Sequence, residues 1–151
     1  GQTPGQTPGA VPGQSGGEQL AAGAPPQPLA APGTTPEPTA ASSNPAVVTL
    51  LNTANAQVQA GELQQAAATL ERALQIDPES AWIWHRLAQV RLRQGQLDQS
   101  VNLASKSNSL AAGDVALQAD NWDLIAEARR RQGAAAAAAT AEAQARSLRQ
   151  R

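Results

Sequence analysis

The chain contains one histidine, His85, and no cysteine or tyrosine, so few of its side chains could do chemistry. As a general base His85 would need a nucleophile and an orienting acid, and no serine–acid constellation accompanies it. As a metal ligand it would need a second histidine or a cysteine, and there is neither. No glycine-rich phosphate cradle is present. Asp120 and Asp123 stand three residues apart, which on a helix places them on one solvated face. No catalytic set, metal or cofactor is expected, and the chain reads as no enzyme. What remains is recognition chemistry. Trp82, His85, Arg86, Gln89 and Arg93 fall close together, and tryptophan and arginine are the side chains most enriched where binding energy concentrates. Arg129, Arg130 and Arg131 form a basic run, but no aromatic residues interleave it as a nucleic-acid platform would require. Such a run complements the negative end of a helix dipole.

The elements that hold these residues occupy only part of the chain. Residues 1–45 carry ten of the eleven prolines and eight of the twelve glycines, with Glu18 and Glu37 as their only charges. Val11, Leu20 and Leu29 are their only large aliphatic residues. That apolar content cannot offset a backbone ordering cost of roughly 1–2 kcal/mol per residue, so 1–45 is expected to be a disordered Pro/Gly-rich tether. Its r.m.s. span is about 35–40 Å as a flexible coil and approaches about 140 Å if stiffened into polyproline geometry. Residues 46–151 suffice for one small domain. The whole chain balances 11 Lys+Arg against 12 Asp+Glu, which gives no reason to expect nucleic acid or an anionic membrane as the main partner. No apolar run approaches the length of about 20 residues that a membrane-crossing helix needs.

End signals place six helices in the second part. Asn44-Pro45 reads as an N-cap followed by a first-turn proline, and Gly61 closes that helix. A second runs from about Glu62 to Ile76, ahead of Asp77-Pro78, and a third from about Ser80 to Gln94, ahead of Gly95. The fourth covers Leu97 to Leu110. Asp114 caps a long fifth helix, Val115 to Gln132, and the sixth runs from Ala134 to about Arg149. The helices repeat in pairs. Leu50, Ala54, Gly61 and Leu63 recur in the same order and spacing as Trp84, Ala88, Gly95 and Leu97, then once more as Trp122, Ala126, Gly133 and Ala135. The second interval is longer than the first by four residues. They amount to about one α-helical turn, which at the start of helix five preserves the facing of its later residues.

The first interval matches the period of about 34 residues that marks the tetratricopeptide repeat (TPR), a helix–turn–helix unit. With Trp84-x2-Leu87-Ala88, Trp122-x2-Ile125-Ala126, Gly61-Glu62-Leu63, Ala66-x3-Leu70, Ala73 and Pro78, the chain resembles that family. The resemblance implies an all-α fold: a TPR helical-hairpin solenoid of about three repeats, at about 47–80, 81–114 and 115–151. Where the family has an aromatic closing each first helix, this chain has Gln57, Arg91 and Arg129. The last helix carries Glu142 at an expected apolar position, and its Ala134–Ala139 run offers little to bury. It is therefore expected to be the least stable element, or to dock against a partner or second copy.

The repeat assigns faces. Trp84, Leu87 and Ala88 form the expected core stripe of helix three, with Trp122 its counterpart, and Trp84→Ala is expected to cost about 3–5 kcal/mol. The opposite stripes of the first helices are expected to line a concave protein-binding surface. Leu51, Asn52, Asn55 and Gln59 come from helix one. Helix three supplies Trp82, His85, Arg86, Gln89 and Arg93. Helix five supplies Asp123, Leu124, Glu127, Arg130 and Arg131. The candidate partner-binding set is Asn52, Asn55, Trp82, His85, Arg86, Gln89, Arg93, Asp123, Glu127 and Arg130. Trp82 is read alternatively as packing on the preceding repeat. The carboxylate clamp of one TPR subclass is incomplete here, since Asn55 fits it but Leu51 stands where its first basic residue belongs.

A long Pro/Gly/Thr/Gln tether before a short Ala- and Gln-rich TPR unit is similar to the TPR-bearing bacterial outer-membrane lipoproteins. In that family an acylated cysteine precedes the tether, which crosses the periplasm to a bifunctional peptidoglycan synthase, penicillin-binding protein 1b. The resemblance implies a lipoprotein activator whose partner is a class A penicillin-binding protein, with membrane attachment only through an anchor ahead of Gly1. A generic TPR scaffold assembling envelope or secretion complexes is the alternative.

Overall fold

The computed structural model describes residues 44–151, so the expected tether lies outside the described residues except for its last two. The described residues form six helices and no strand. They are α1 (Pro45–Gln59), α2 (Leu63–Ile76), α3 (Ala81–Arg93), α4 (Leu97–Leu110), α5 (Val115–Arg131) and α6 (Ala135–Arg149). Their bounds lie within about a residue of those read from the end signals. Asn44 Oδ1 accepts the Ala46 N–H at 2.8 Å ahead of Pro45. Ser80 and Asp114 cap α3 and α5 by accepting the N–H of Ile83 and Leu117. These caps satisfy amide donors that a helix start leaves without an intrahelical partner.

The three hairpin turns are built alike. Gly61, Gly95 and Gly133 adopt φ of 79°, 80° and 81°, the left-handed region that favours glycine. Just beyond each, a backbone N–H reaches back to the last turn: Glu62 to Gln57 O, Gln96 to Arg91 O and Ala134 to Arg129 O, at 2.8, 2.9 and 2.9 Å. This is the Schellman closure of a helix end. A Cβ at any of the three would meet nothing within 4 Å, so the backbone conformation alone asks for glycine.

Within each hairpin the helices meet at small residues. Ala54, Ala88 and Ala126 are buried on α1, α3 and α5, and Ala66, Ser100 and Ala138 on α2, α4 and α6. The Ser100 hydroxyl donates to Ala88 O at 2.9 Å, so the polar variant of the contact is satisfied inside it. The facing of Ala126 is kept despite the longer second interval, because the extra turn lengthens α5 at its start: α5 has 17 residues and α3 has 13. Each helix packs on the next in the chain, and α3 also contacts α5. One apolar cluster joins Val47, Leu51 and Leu70 to Ile83, Leu87 and Val90, and a second joins Ala88 and Val101 to Ile125 and Ala141. Helix α3 lies between them, contributing opposite stripes to each.

One expectation about the core needs correction. Trp84 is half-buried and belongs to neither cluster. Its indole Nε1 donates to Pro78 O at 2.8 Å and its ring faces Lys106 Nζ at 5.8 Å. Leu50 and Trp122, its repeat counterparts, are also half-buried, and both pack at the margins of the clusters. The innermost place on α3 belongs to Ile83, one residue earlier. Helix α6 packs on α5. It buries Ala138, Ala141, Ala145 and Leu148 against α5. Glu142 pairs with Arg130, and Arg149 reaches Asp120 at 3.1 Å and Asp123 at 2.6 Å.

Leu70, 1% exposed, fills the first cluster, and Leu70→Ala is expected to cost about 2–5 kcal/mol. Trp84→Ala is expected to cost less, because a partly exposed ring outside both clusters loses only part of its transfer free energy. Urea unfolding followed by helical circular dichroism ranks the two; a larger loss for Trp84→Ala would contradict the facing described.

Candidate functional site

The first helices of the hairpins carry the residues of the candidate face. Its centre is α3, joined to α1 by the Arg86 Nη2 bond to Asn55 Oδ1 and to α5 by direct packing. Asn52 is exposed on α1 and Asn55 is half-buried beneath Arg86. Arg86 Nη1 also donates to Gln89 Oε1 at 2.7 Å. Arg86, Gln89 and Arg93 line a cleft of about 340 Å³ with Val58, Val90 and Leu92. Burial pushes the Arg86 pKa down, since no carboxylate offsets its lost hydration.

Trp82 stands at the edge of the same face. It packs against the α1–α3 core cluster and lines a larger cleft of about 730 Å³ with Glu79, Leu110, Ala116 and Asp120. Its packing thus matches the alternative reading given above, while one side stays open to the cleft. The indole Nε1 is buried and makes no hydrogen bond among the described residues, whereas a buried tryptophan N–H usually has a partner. Much of the opposite wall is the α4–α5 turn and the first turns of α5, where the four extra residues extend the helix.

Three residues expected on this face lie inside instead. Leu51 and Leu124, 2% and 7% exposed, belong to the two core clusters. His85 is 3% exposed, with its ring centroid 5.5 Å from that of Trp82. The reason is a buried polar cluster that the sequence reading missed. Asn121 is completely buried; its Nδ2 donates to Ser107 Oγ at 2.8 Å and to Asn108 Oδ1 at 3.1 Å. Its Oδ1 lies 2.7 Å from His85 Nδ1, so with the amide in this orientation Nδ1 carries the proton. Ser107 Oγ in turn donates to Ala81 O at 2.8 Å. The cluster ties α3, α4 and α5 together. A signal for it exists in the repeat. Asn121 directly precedes Trp122 as Ile83 precedes Trp84, and Ile83 is fully buried, so an amide in that place must find partners.

The far end of the face is charge-compensated. Glu127 accepts from Arg130 Nη2 at 2.9 Å and from Arg131 Nε at 2.7 Å. These bonds hold its carboxyl below the usual value, while Glu127 and Glu142 raise Arg130. Asp123 is exposed and engaged by Arg149. Glu127 and Arg130 thus form one network that Glu142 of α6 closes, while Asp123 belongs to a second one with Asp120 and Arg149. Among the described residues no group of three His, Asp or Glu could hold a metal ion, and no helix is long and apolar enough to cross a membrane. The face can supply hydrogen-bond donors, a cationic cleft and an aromatic edge, which suits peptide recognition.

A family model described as tetratricopeptide repeat matches residues 57–120. No curated protein sequence matches the chain. Among solved structures, the chain is similar to the globular C-terminal domain of P. aeruginosa LpoP. The two are 45% identical over 70% of this chain and 99% of that one, with a TM-score of 0.67. The N-terminal domain of stress-induced protein-1 from C. elegans is 16% identical over 70% of this chain and 88% of that one, with a TM-score of 0.65. The Yersinia enterocolitica type III secretion translocator chaperone SycD is 19% identical over 70% and 77%, with a TM-score of 0.64. At those identities the last two share the fold alone.

Burial lowers the His85 pKa below its ordinary 6.5; the Asn121 hydrogen bond and the Asp120 charge oppose this, and Arg86 adds to it. The unfolded chain therefore takes up the proton first as pH falls. The stability held by neutral His85 is complete above about pH 6.5 and declines below it, towards the depressed folded value. The urea midpoint is expected to drop between about pH 7 and pH 5.5, above the range where carboxylates titrate, and to drop less in His85→Gln. A wild-type midpoint that is flat across this window would contradict the buried neutral imidazole. Asn121→Leu leaves the His85 Nδ1–H without its buried acceptor, while Ser107 keeps its bond to Ala81 O, and is expected to cost about 1–3 kcal/mol, read by the same unfolding curve.

Proposed function

The chain belongs to the tetratricopeptide repeat family, and from that premise we propose that it is a non-catalytic activator of a bifunctional peptidoglycan synthase. The partner would be a class A penicillin-binding protein bound by direct contact. The single observation that carries this reading is the likeness to the LpoP domain, almost all of which this chain matches. The layout of the sequence supports it: a Pro/Gly-rich segment precedes a short TPR unit. On this reading the protein is a periplasmic lipoprotein attached to the outer membrane through an anchor ahead of Gly1.

The mechanism follows from linkage. A synthase exchanging between less and more active conformations is activated only by a ligand that binds the active one better; equal affinity for both shifts nothing. The α1–α3–α5 face offers the contacts, with Asn52, Arg86, Gln89 and Arg93 as its donors, Trp82 as an apolar edge and Glu127 and Arg130 at its far end. Because the helices are braced by the Asn121 cluster and by the α5–α6 ion pairs, the face meets its partner largely preformed, which limits the ordering cost of binding.

The test is a glycan-polymerisation assay of purified class A penicillin-binding protein with and without the full chain. A several-fold rate increase that saturates with added chain is expected. No stimulation together with capture of other envelope proteins would favour the scaffold instead.

A further inference from the structure

The arginines of this face fall into two groups. Arg130 and Arg131 each pair with a carboxylate at the α5 end, and Arg149 from α6 closes on Asp120 and Asp123. Arg86 and Arg93 have none. Of the five N–H donors of the Arg86 guanidinium, two are engaged, and both meet neutral amide oxygens, those of Asn55 and Gln89. Arg93 is exposed and makes no ion pair or hydrogen bond among the described residues. The two stand seven residues apart on α3, about two helical turns and on one side of it. Both line the same cleft, and no acidic residue lines it with them.

We propose that this cleft docks a carboxylate-bearing segment of a protein partner, with Arg86 and Arg93 receiving acidic side chains about two helical turns apart. The inference rests on the reading of this face as a protein-binding surface and adds the chemistry of what binds. A half-buried guanidinium has already lost part of its hydration, so an arriving carboxylate meets a site where Coulomb attraction exceeds that on an open surface. The planar fork suits a carboxylate in a charge-assisted, bidentate pair, and its free donors are directed by the two amide bonds that hold it. At the α5 end Arg130, Arg131 and Arg149 are already occupied by Asp120, Asp123 and Glu127, so the cleft on α3 is where an arriving carboxylate finds unpaired guanidinium groups. A nucleic-acid strand fits less well, since no aromatic residue lines the cleft to stack a base.

The test uses the full chain and two fluorescein-labelled twelve-residue peptides, one alternating Glu with Gly and Ala, the other identical with Gln in place of Glu. In low-salt fluorescence anisotropy the Glu peptide is expected to bind at least about tenfold tighter than its Gln twin, and to weaken as salt is added. Arg93→Gln and the double variant Arg86→Gln/Arg93→Gln are expected to lose about tenfold, with circular dichroism confirming the fold. Arg72→Gln, which removes an exposed arginine on α2, is expected to bind as wild type does. Equal binding of the two peptides, no measurable binding of the Glu peptide, or full binding by Arg93→Gln would each overturn the proposal. Capture of the synthase is scored separately: a chain that captures it yet ignores the Glu peptide refutes the acidic segment alone. A chain that prefers the Glu peptide yet does not capture the synthase refutes the synthase reading alone.

Discussion

How closely two helices can approach decides almost everything else in this domain. Each hairpin buries alanine or serine on both of its helices, Ala54 and Ala66, Ala88 and Ser100, Ala126 and Ala138, and Ser100 bonds directly to the Ala88 carbonyl. Close approach lets short, alanine-rich helices exclude water from a thin layer. It also sets where larger side chains fit. Leucine, isoleucine and valine from neighbouring hairpins fill the two clusters either side of α3, and no hairpin could cover its own apolar stripe alone. The stack is therefore a chain of nearest-neighbour contacts, and the orientation of α3 is dictated from both sides.

That arrangement explains why the α1–α3–α5 face is divided. Its centre lies on the most constrained helix, where Arg86 is held by amides from α1 and from its own helix. Polar contacts between repeats recur at the outer edge as well: Gln94 reaches Gln64, and Gln132 reaches Asp98 in the equivalent place one repeat later. At the α5 end the acids and arginines neutralise one another and α6 closes the network. Exposed pairs of this kind contribute little stability singly, but they fix which charges remain available to a partner. The domain is a protein-interaction module in which Arg86 and Arg93 of α3 carry charge that no carboxylate pairs.

The buried Asn121 cluster stands apart from the rest of the core. In the first cluster the comparable place holds Ile83, packed by dispersion and the hydrophobic effect without directional demand. At Asn121 the same place is filled by an amide that must satisfy its hydrogen bonds inside the protein, and it does so with His85, Ser107 and Asn108. Such a cluster tolerates fewer arrangements than an apolar one, so it specifies how the third hairpin sits on the second.

The repeat, the helix ends and the hairpin turns were legible in the sequence because each is a local matter. A left-handed turn asks for glycine whatever surrounds it, an Asn, Ser or Asp accepts from an amide two or three residues on, and small residues recur at fixed spacing. The sites of Asn55, Gln89, Arg93 and Asp123 on the outward stripe were legible on the same grounds. Only the tertiary structure decided that His85, Leu51 and Leu124 turn inward, that Ile83 displaces Trp84 from the centre, and which arginines find acids. Helical spacing defines a stripe to within about one residue, or 100° of rotation. Which edge of that stripe is covered depends on the neighbouring helix and on partners such as Asn121, 36 residues from His85, or Asp120, 29 from Arg149. Those distances are closed by packing, and no local pattern records them.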